Sequence, residues 1–270
     1  MKATFALTVV AALLCSDSLA QRRTRILIDA SKDGGTWWAP QHHSGFDPRA
    51  AHQGKALADF LRRKGADVEE LPTRAVETTA EQLNGRDLVI RAGTGGNSDV
   101  RVNVLGVQYP GGEIGAYRDY VAAGGKLLLL SEYKRPGYVD GLTDAFGIRL
   151  AGMSTGDNRI DRFVSHPLTR NVRDVPYLVG SAIVGAASEK MLLLGFLSKR
   201  TYLDMNGDRR KNPGEPEGAA VLGVLEFGRG VVVFLGDVNT LQRVPQPLTD
   251  NIYNFLVSSD KGSGQSPARR

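Results

Sequence analysis

The sequence predicts an α/β fold with a doubly wound, mostly parallel sheet and an antiparallel C-terminal hairpin. Short apolar runs alternate with amphipathic, helix-like segments up to about residue 150, the rhythm of βαβ units. The run Leu127–Leu130 lacks polar residues, as expected of a parallel strand that is covered on both faces. A tight link, Phe227–Gly230, joins two later apolar runs and is typical of a hairpin.

Local patterns predict each element. Asp47-Pro48 combines a helix-capping side chain with proline at the first helical position, so a helix is predicted from there to about Lys64. A second helix is predicted over Glu113–Ala123, before two glycines. The other ranges are strands at 26–30, 68–71, 87–92, 126–131, 191–197, 220–226 and 231–235, and a closing helix at 249–257.

Length and composition indicate one domain between a leader and a tail. The hydrophobic content of 41% and charged content of 23% exclude a wholly disordered chain, a collagen-like repeat and a coiled coil. Lys2, an apolar run and Ser18-Leu19-Ala20 follow the order of a secretory signal peptide, with a membrane anchor as the alternative. We therefore expect a signal peptide at 1–20, a domain at 26–258 and a disordered tail at 259–270.

The net charge of +5 does not indicate nucleic-acid binding. Basic residues near the two ends of the chain account for the whole excess, which leaves residues 26–259 with no formal net charge. Cleavage after Ala20 would remove Cys15, the only cysteine, and with it any thiol nucleophile or disulfide. The expected location is secreted or periplasmic, without membrane attachment after cleavage.

Several motifs resemble, in their order, the type 1 glutamine amidotransferase-like superfamily over about residues 26–257. They are Ile26–Asp29, Gly54–Leu61, Asp87–Ile90, Tyr120–Leu130, His166–Thr169, Gly228–Asp237 and Asp250–Asn251. The resemblance implies a flavodoxin-like sheet, and exported, non-catalytic members such as ThuA-like proteins are the implied relatives. Enzymes of this superfamily carry Cys or Ser between glycines at the nucleophile elbow, whereas this chain has Leu130-Ser131-Glu132. This departure argues against amidotransferase activity.

Polar residues after the predicted strands are expected to meet at the carboxyl edge of the sheet, where ligands bind in open α/β folds. The candidate ligand-binding residues are Asp29, Asp33, Trp37, Trp38, His42, His43, Glu132, Asp237 and Asn239. Exposed Trp37 and Trp38 would suit sugar stacking. The alternative is that one indole plugs the end of the sheet and the other covers a helix. His42, His43, Asp47 and His52 are also metal candidates, although no His-x-x-x-His pair is present.

Ser131 is a candidate nucleophile, on the condition that His166 reaches it as a base. Glu132 is the third catalytic candidate, beside Ser131. The alternative is that Ser131 caps the segment after its strand and that His166 orders the loop before Pro167.

The segment Asp204–Glu215 has the spacing of an EF-hand or dockerin-like calcium loop. The candidate ligands are Asp204, Asn206, Asp208, the carbonyl of Arg210, Asn212 and Glu215. Arg209 stands where such loops usually carry glycine, and Pro213 excludes the usual exiting helix. A helix-less Ca²⁺ loop is therefore predicted, with a solvated, turn-forming charged loop as the alternative. No nucleotide or redox cofactor is expected.

Two function classes follow. The first is an exported, non-catalytic domain that binds a small molecule or carbohydrate, or an interaction partner. The second is a hydrolase or other enzyme that acts on a sugar or small ester at the carboxyl ends of the strands. The absence of a cysteine and of a Gly-x-Ser-x-Gly elbow favours the first.

Overall fold

The structure is a computed structural model that describes residues 22–32, 37–38, 47, 49–71, 77–94, 106–107, 109, 112–134, 136, 139–186, 190–243 and 246–258. The predicted signal peptide and tail, and the candidates Asp33, His42 and His43, lie outside these residues. Within the described part of the chain, no helix is long and apolar enough to span a bilayer.

Fifteen strands and five α-helices are described. The strands are β1 Arg25–Asp29, β2 Asp67–Glu70, β3 Leu88–Thr94, β4 Gly106–Val107, β5 Lys126–Ser131, β6 Val139–Asp140, β7 Ile148–Ala151, β8 Met153–Gly156, β9 Arg159–Phe163, β10 Val175–Pro176, β11 Ala182–Ala186, β12 Met191–Leu197, β13 Thr201–Asp204, β14 Ala220–Phe227 and β15 Gly230–Leu235. The helices are α1 Lys55–Arg63, α2 Ala80–Leu83, α3 Glu113–Ala122, α4 Gly141–Ala145 and α5 Pro247–Ser258.

One mixed sheet of eleven strands organises the fold. Its main path runs β10-β9-β12-β14-β15-β5-β3-β1-β2, and β11 joins β7 to β14. The strands β2, β1, β3, β5 and β15 are parallel neighbours, whereas every pairing beyond β15 is antiparallel. The α/β class agrees with the prediction, but the sheet is mixed and not mostly parallel. Short, partly exposed strands of the antiparallel half, such as Arg159–Phe163, carry no apolar run that would reveal them.

Apolar side chains on both faces of the sheet form the core. Ile26 and Ile28 face the cluster that contains α1 and α5, while Leu27 faces the cluster that contains α2, α3 and α4. This alternation follows from the period of two along a strand, and it places helices on both faces of the parallel half.

The strand β15 is the junction between the two halves. It pairs in parallel with β5 on one side and antiparallel with β14 on the other. Gly228 and Arg229 separate β14 from β15, and Gly228 has φ of +59°. A Cβ at Gly228 would lie 2.6 Å from Cα of Ala122, so a side chain there would clash with the end of α3.

The helix predicted to begin at Asp47-Pro48 begins instead at Lys55. The carboxylate of Asp47 accepts from the amide of Arg49 at 2.9 Å, which caps a local turn. The amide of Gly54 donates to the carbonyl of Trp37 at 3.1 Å, so the segment before the helix is tied to the indole segment. The prediction was wrong because this tertiary contact replaces the first turns of the helix.

A buried ion pair fixes the carboxyl ends of β1 and β3. Both Asp29 and Arg91 are fully buried, and Nε of Arg91 lies 3.9 Å from Oδ2 of Asp29. The same Oδ2 accepts from the Thr78 hydroxyl at 2.7 Å and from the Tyr117 hydroxyl. Oδ1 accepts from the amide of Ser31 at 2.9 Å. One carboxylate therefore links β1, β3, the entry to α2, and α3.

Both members of this pair are ionised. Burial acts to raise the pKa of Asp29, but the charge of Arg91 and the hydrogen bonds from Ser31, Tyr117 and Thr78 lower it to about 2. Burial acts to lower the pKa of Arg91, but the combined effect of Asp29, Tyr109, Tyr117 and Asp140 raises it. Both oxygens of Asp29 thus accept hydrogen bonds from the protein itself, which leaves neither oxygen free to bind a ligand as predicted.

We expect the contribution of Asp29 to stability to disappear in acid. Its folded-state pKa of about 2 lies below the ordinary 3.8, so its contribution is complete above that ordinary value and is lost as the pH falls towards 2. The difference corresponds to about 2.5 kcal/mol. Urea unfolding between pH 2 and 7 measures the free energy of unfolding of the parent and of Asp29→Asn. The difference between these two free energies should become smaller in acid. A free-energy difference that did not change with pH would contradict the lowered pKa of Asp29.

The variant Asp59→Asn is the control, because Asp59 lies at the surface in a partly exposed ion pair with Lys55. It should cost less than about 1 kcal/mol, whereas Asp29→Asn leaves a buried guanidinium uncompensated and should cost about 3–5 kcal/mol.

Candidate ligand site

A cavity of about 740 Å³ lies beyond the carboxyl end of β5. The segment after β5, the strand β8 and the start of the Asp204–Glu215 loop all contribute to it. Its lining residues are Tyr133, Lys134, Pro136, Met153, Ser154, Thr155, Gly156, Asn158, Val179, Asp204, Asn206, Gly207 and Arg209. The volume is within the range of about 300–1,000 Å³ that is usual for small-molecule sites. The cavity thus lies where the segment after β5 meets the Asp204 loop, and its lining includes the metal candidates Asp204 and Asn206 but none of the described residues that were predicted to bind a ligand.

Sequence reasoning missed most of the lining residues. Tyr133 and Lys134 follow β5 directly, and their position after a strand was the one signal that could have found them. Ser154, Thr155 and Asn158 lie on or after β8, which has no apolar pattern and was not predicted. The pairing of β8 with β13 brings them beside the Asp204 loop.

Lys134 is held at the base of this cavity by a buried carboxylate. Its Nζ lies 3.5 Å from Oδ2 of Asp140, and both side chains are almost fully buried. Burial lowers the pKa of Lys134, although Asp140 acts in the opposite direction. Asp140 also accepts from the Tyr109 hydroxyl at 3.1 Å and from the amide of Leu142 at the start of α4. The carboxylate of Asp140 is thus part of the scaffold.

Lys32 and Glu113 form a second enclosed ion pair at the carboxyl edge. The Nζ of Lys32 lies 2.6 Å from Oε1 of Glu113. Burial raises the pKa of Glu113, while Lys32 acts to lower it. Together with Asp29 and Arg91, these residues fill the carboxyl ends of the first strands with paired charges.

Three of the ligand-binding candidates, Glu132, Asp237 and Asn239, lie side by side through contacts of Asn239. The side-chain amide of Asn239 donates to Oε1 of Glu132 at 3.0 Å. Asp237 accepts from the amides of Leu178 and Asn239, each at 2.8 Å, and from Thr240 at 3.0 Å. Burial raises the pKa of Asp237, although these hydrogen bonds oppose the shift. Asp237 therefore ties the loop after β15 to the loop before β11 and is enclosed by protein.

The two tryptophans are buried, contrary to the expectation of exposed stacking faces. Trp37 is 0% and Trp38 3% exposed. The indole nitrogen of Trp37 donates to Oε2 of Glu70 at 3.1 Å, and Trp38 packs on His52 with ring centroids 4.9 Å apart. Burial lowers the pKa of His52, although the neighbouring Glu70 opposes this shift. The rings plug the fold beside α1, so no sugar face is available on them in this structure.

Ser131 and His166 lie near opposite ends of β5, at the carboxyl and amino ends of the strand. Ser131 is fully buried at the end of β5, with its Oγ 3.2 Å from Oγ of Ser181. His166 accepts from the amide of Leu168 through Nδ1 at 3.2 Å, which orders the turn after it. It lines a different cavity together with Lys126, the first residue of β5. The length of β5, roughly 16 Å at about 3.3 Å per residue, separates the two ends, so no Ser–His pair is formed.

The Asp204–Glu215 loop is ordered by its own side chains. Oδ1 and Oδ2 of Asp204 accept from the amides of Gly207 and Arg209 at 2.7 and 2.8 Å. Oε1 and Oε2 of Glu215 accept from the amides of Met205 and Asn212, each at 2.9 Å. Arg209 has φ of +59°, the conformation that glycine usually supplies at this position of a calcium loop.

The remaining candidate ligands gather on Asp208. The side-chain amides of Asn206 and Asn212 donate to it, and Oδ1 also accepts from the amide of Arg210 at 2.8 Å. These hydrogen bonds lower the pKa of Asp208. Across the described residues, no group of three or more His, Cys, Asp or Glu side chains is arranged to hold a metal ion. In this structure the loop oxygens accept hydrogen bonds from the loop itself.

Comparison with known proteins finds similarity in fold alone. No family model and no curated sequence matches the chain. The N-terminal domain of mmIFT52 is similar with a TM-score of 0.55 and 14% identity, over 90% of this chain and 100% of that one. A β-galactosidase from Rahnella sp. R3 is similar with a TM-score of 0.52 and 15% identity, over 89% of this chain and 31% of that one.

A ThuA-like protein from Bacteroides uniformis is a more distant structural neighbour. Its TM-score is 0.45 at 14% identity, over 88% of this chain and 93% of that one. The chain spans about a third of the β-galactosidase and nearly all of the other two structures.

Proposed function

We propose that this protein is a non-catalytic binding domain whose ligand, a saccharide, occupies the cavity after β5. The cavity carries the proposal: it opens where ligands bind in α/β sheets, and its volume of about 740 Å³ suits a small molecule. The scaffold that we propose is a flavodoxin-like, amidotransferase-type sheet, because helices cover both faces of its parallel half.

A binding role is favoured over hydrolysis by the state of the candidate catalytic groups. Ser131 is enclosed at one edge of the sheet and His166 lies at the other. The carboxylates of Asp29 and Asp237 each accept three or more contacts from their own protein. Carboxylates held by the protein's own hydrogen bonds in this way stabilise the fold and are not placed to transfer protons to a ligand.

The saccharide class is supported by the mixture of groups in the cavity. The ring of Tyr133 offers an apolar face, while Ser154, Thr155 and Asn158 offer hydroxyl and amide groups. Sugars present the same combination of apolar faces and hydroxyl groups. The fold similarity to part of a β-galactosidase fits a carbohydrate ligand but does not identify one.

The variant Thr155→Trp should abolish ligand binding by filling the cavity. Thr155 is half-buried in its lining, and its hydroxyl makes one long hydrogen bond, at 3.3 Å to the carbonyl of Met153. Val184→Trp is the matched control, because Val184 is 45% exposed on β11 outside the cavity. Binding to a glycan array, followed by calorimetry on the hits, should be retained by the control. Equal binding by both variants would place the ligand elsewhere.

We further propose that the Asp204–Glu215 loop binds Ca²⁺. Asp204, Asp208 and Glu215 supply three carboxylates, and the left-handed backbone at Arg209 reproduces the turn of such loops without glycine. An ion bound to the folded state alone raises its stability. One millimolar CaCl₂ should therefore raise the melting temperature and EDTA should reverse the rise, whereas Asp208→Asn should reduce the response. An unchanged melting temperature would contradict the calcium assignment.

Export is also proposed, on the pattern of residues 1–20. Expression of the full chain in a host with a secretory pathway should release a product that begins at Gln21, as N-terminal sequencing would show. Retention of Met1 in the released product would contradict the signal-peptide assignment.

A further inference from the structure

We propose, building on the binding role proposed above, that the saccharide in this cavity is anionic and that Arg209 binds its carboxylate. A hexuronate is the simplest ligand of this class. The charges around the cavity, the partners of those charges and the backbone at Arg209 point to it independently of one another.

The charged residues of the lining are two cations, Lys134 and Arg209, and one carboxylate, Asp204. Lys134 is paired with the buried Asp140. Asp204 keeps its negative charge, but both of its oxygens accept hydrogen bonds from backbone amides of its own loop. Of the two cations, Arg209 is therefore the one without a carboxylate partner among the described residues.

Among the described residues, the nearby Arg159 and Arg200 form ion pairs with carboxylates, whereas Arg209 and its exposed neighbour Arg210 do not. Arg200, although 78% exposed, lies 2.5 Å from Asp157, and Arg159 pairs with Asp157 and Asp174. Within the described ranges, no carboxylate lies within ion-pair distance of the Arg209 guanidinium, and its side chain donates no hydrogen bond. Its side chain is therefore available to an anion in the cavity.

The backbone holds Arg209 in an unfavourable conformation. Its φ of +59° is one that residues with a Cβ rarely adopt. The amide of Arg209 is fixed by Asp204 at 2.8 Å, and the next amide is fixed by Asp208 at 2.8 Å. Residues that keep such conformations cluster at ligand sites, where the strain positions a side chain. Glycine would fit the turn here, but it would supply no cation.

A guanidinium distinguishes an acidic sugar from a neutral one. Its planar N–H groups match the two oxygens of a carboxylate, which a hydroxymethyl group cannot reproduce. A hydrogen bond to a charged group contributes more than a neutral one, enough for a preference of about tenfold or more in Kd. Galacturonic acid and galactose differ at C6 in this way, and their trisaccharides are a matched pair of probes.

The experiment compares three proteins by calorimetry with trigalacturonic acid and galactotriose. The parent should bind the acidic trisaccharide at least about tenfold more tightly, and Arg209→Gly should lose that preference. Arg173→Gly is the control, because Arg173 is an exposed arginine that neither lines the cavity nor belongs to the Asp204–Glu215 loop. Arg209→Gly should melt no lower than the parent, since glycine relieves the positive φ, so that a loss of binding is not a loss of folding.

Each outcome has a distinct meaning. Equal affinity of the parent for both sugars, or an unchanged preference in Arg209→Gly, would overturn the anionic assignment and leave saccharide binding standing. Failure of the parent to bind either trisaccharide would overturn the saccharide proposal and this inference with it. Loss of preference in both glycine variants would also overturn it, because a diffuse basic surface would then account for the effect.

Discussion

The buried pair of Asp29 and Arg91 sets the arrangement of the rest of the molecule. A guanidinium without solvent requires a carboxylate, and the carboxylate in turn collects Thr78 and Tyr117. The ends of β1 and β3 are thereby joined to α2 and α3. Among the described residues, paired charges occupy this part of the carboxyl edge, and the cavity lies further along it, beyond β5.

The sequence predicted the parts of the fold that local pattern determines. The strands β5 and β12 were predicted at their observed bounds, because uninterrupted apolar runs identify them. The strands β7 to β11 were missed because each is short, and because the charged residues of β7 and β9 resemble those of loops. The predicted start of α1 was also wrong, because the local sequence does not reveal the contact of Gly54 with Trp37.

The candidate site was only half predictable for the same reason. The Asp204–Glu215 loop is visible from spacing alone, and the grouping of Glu132 with Asn239 follows from parallel strands ending at one edge. The contact of the loop with the cavity beside Tyr133 depends on the two-stranded antiparallel sheet of β8 and β13, whose strands are far apart in the sequence, so no local pattern predicts it. Burial of the tryptophans and the separation of Ser131 from His166 are likewise properties of the assembled sheet.

The junction strand β15 also governs the order in which the chain can assemble. The parallel strands up to β5 and the antiparallel strands up to β14 all precede residue 230 in the sequence. Neither group can join the other until β15, which lies between β5 and β14, is present. The apolar edge of β5 stays unsatisfied until the strand made from residues 230–235 enters between them. The central part of the sheet therefore forms late and slowly in folding. A chain that ended before residue 230 would expose the unpaired edge of β5, and such edges promote aggregation.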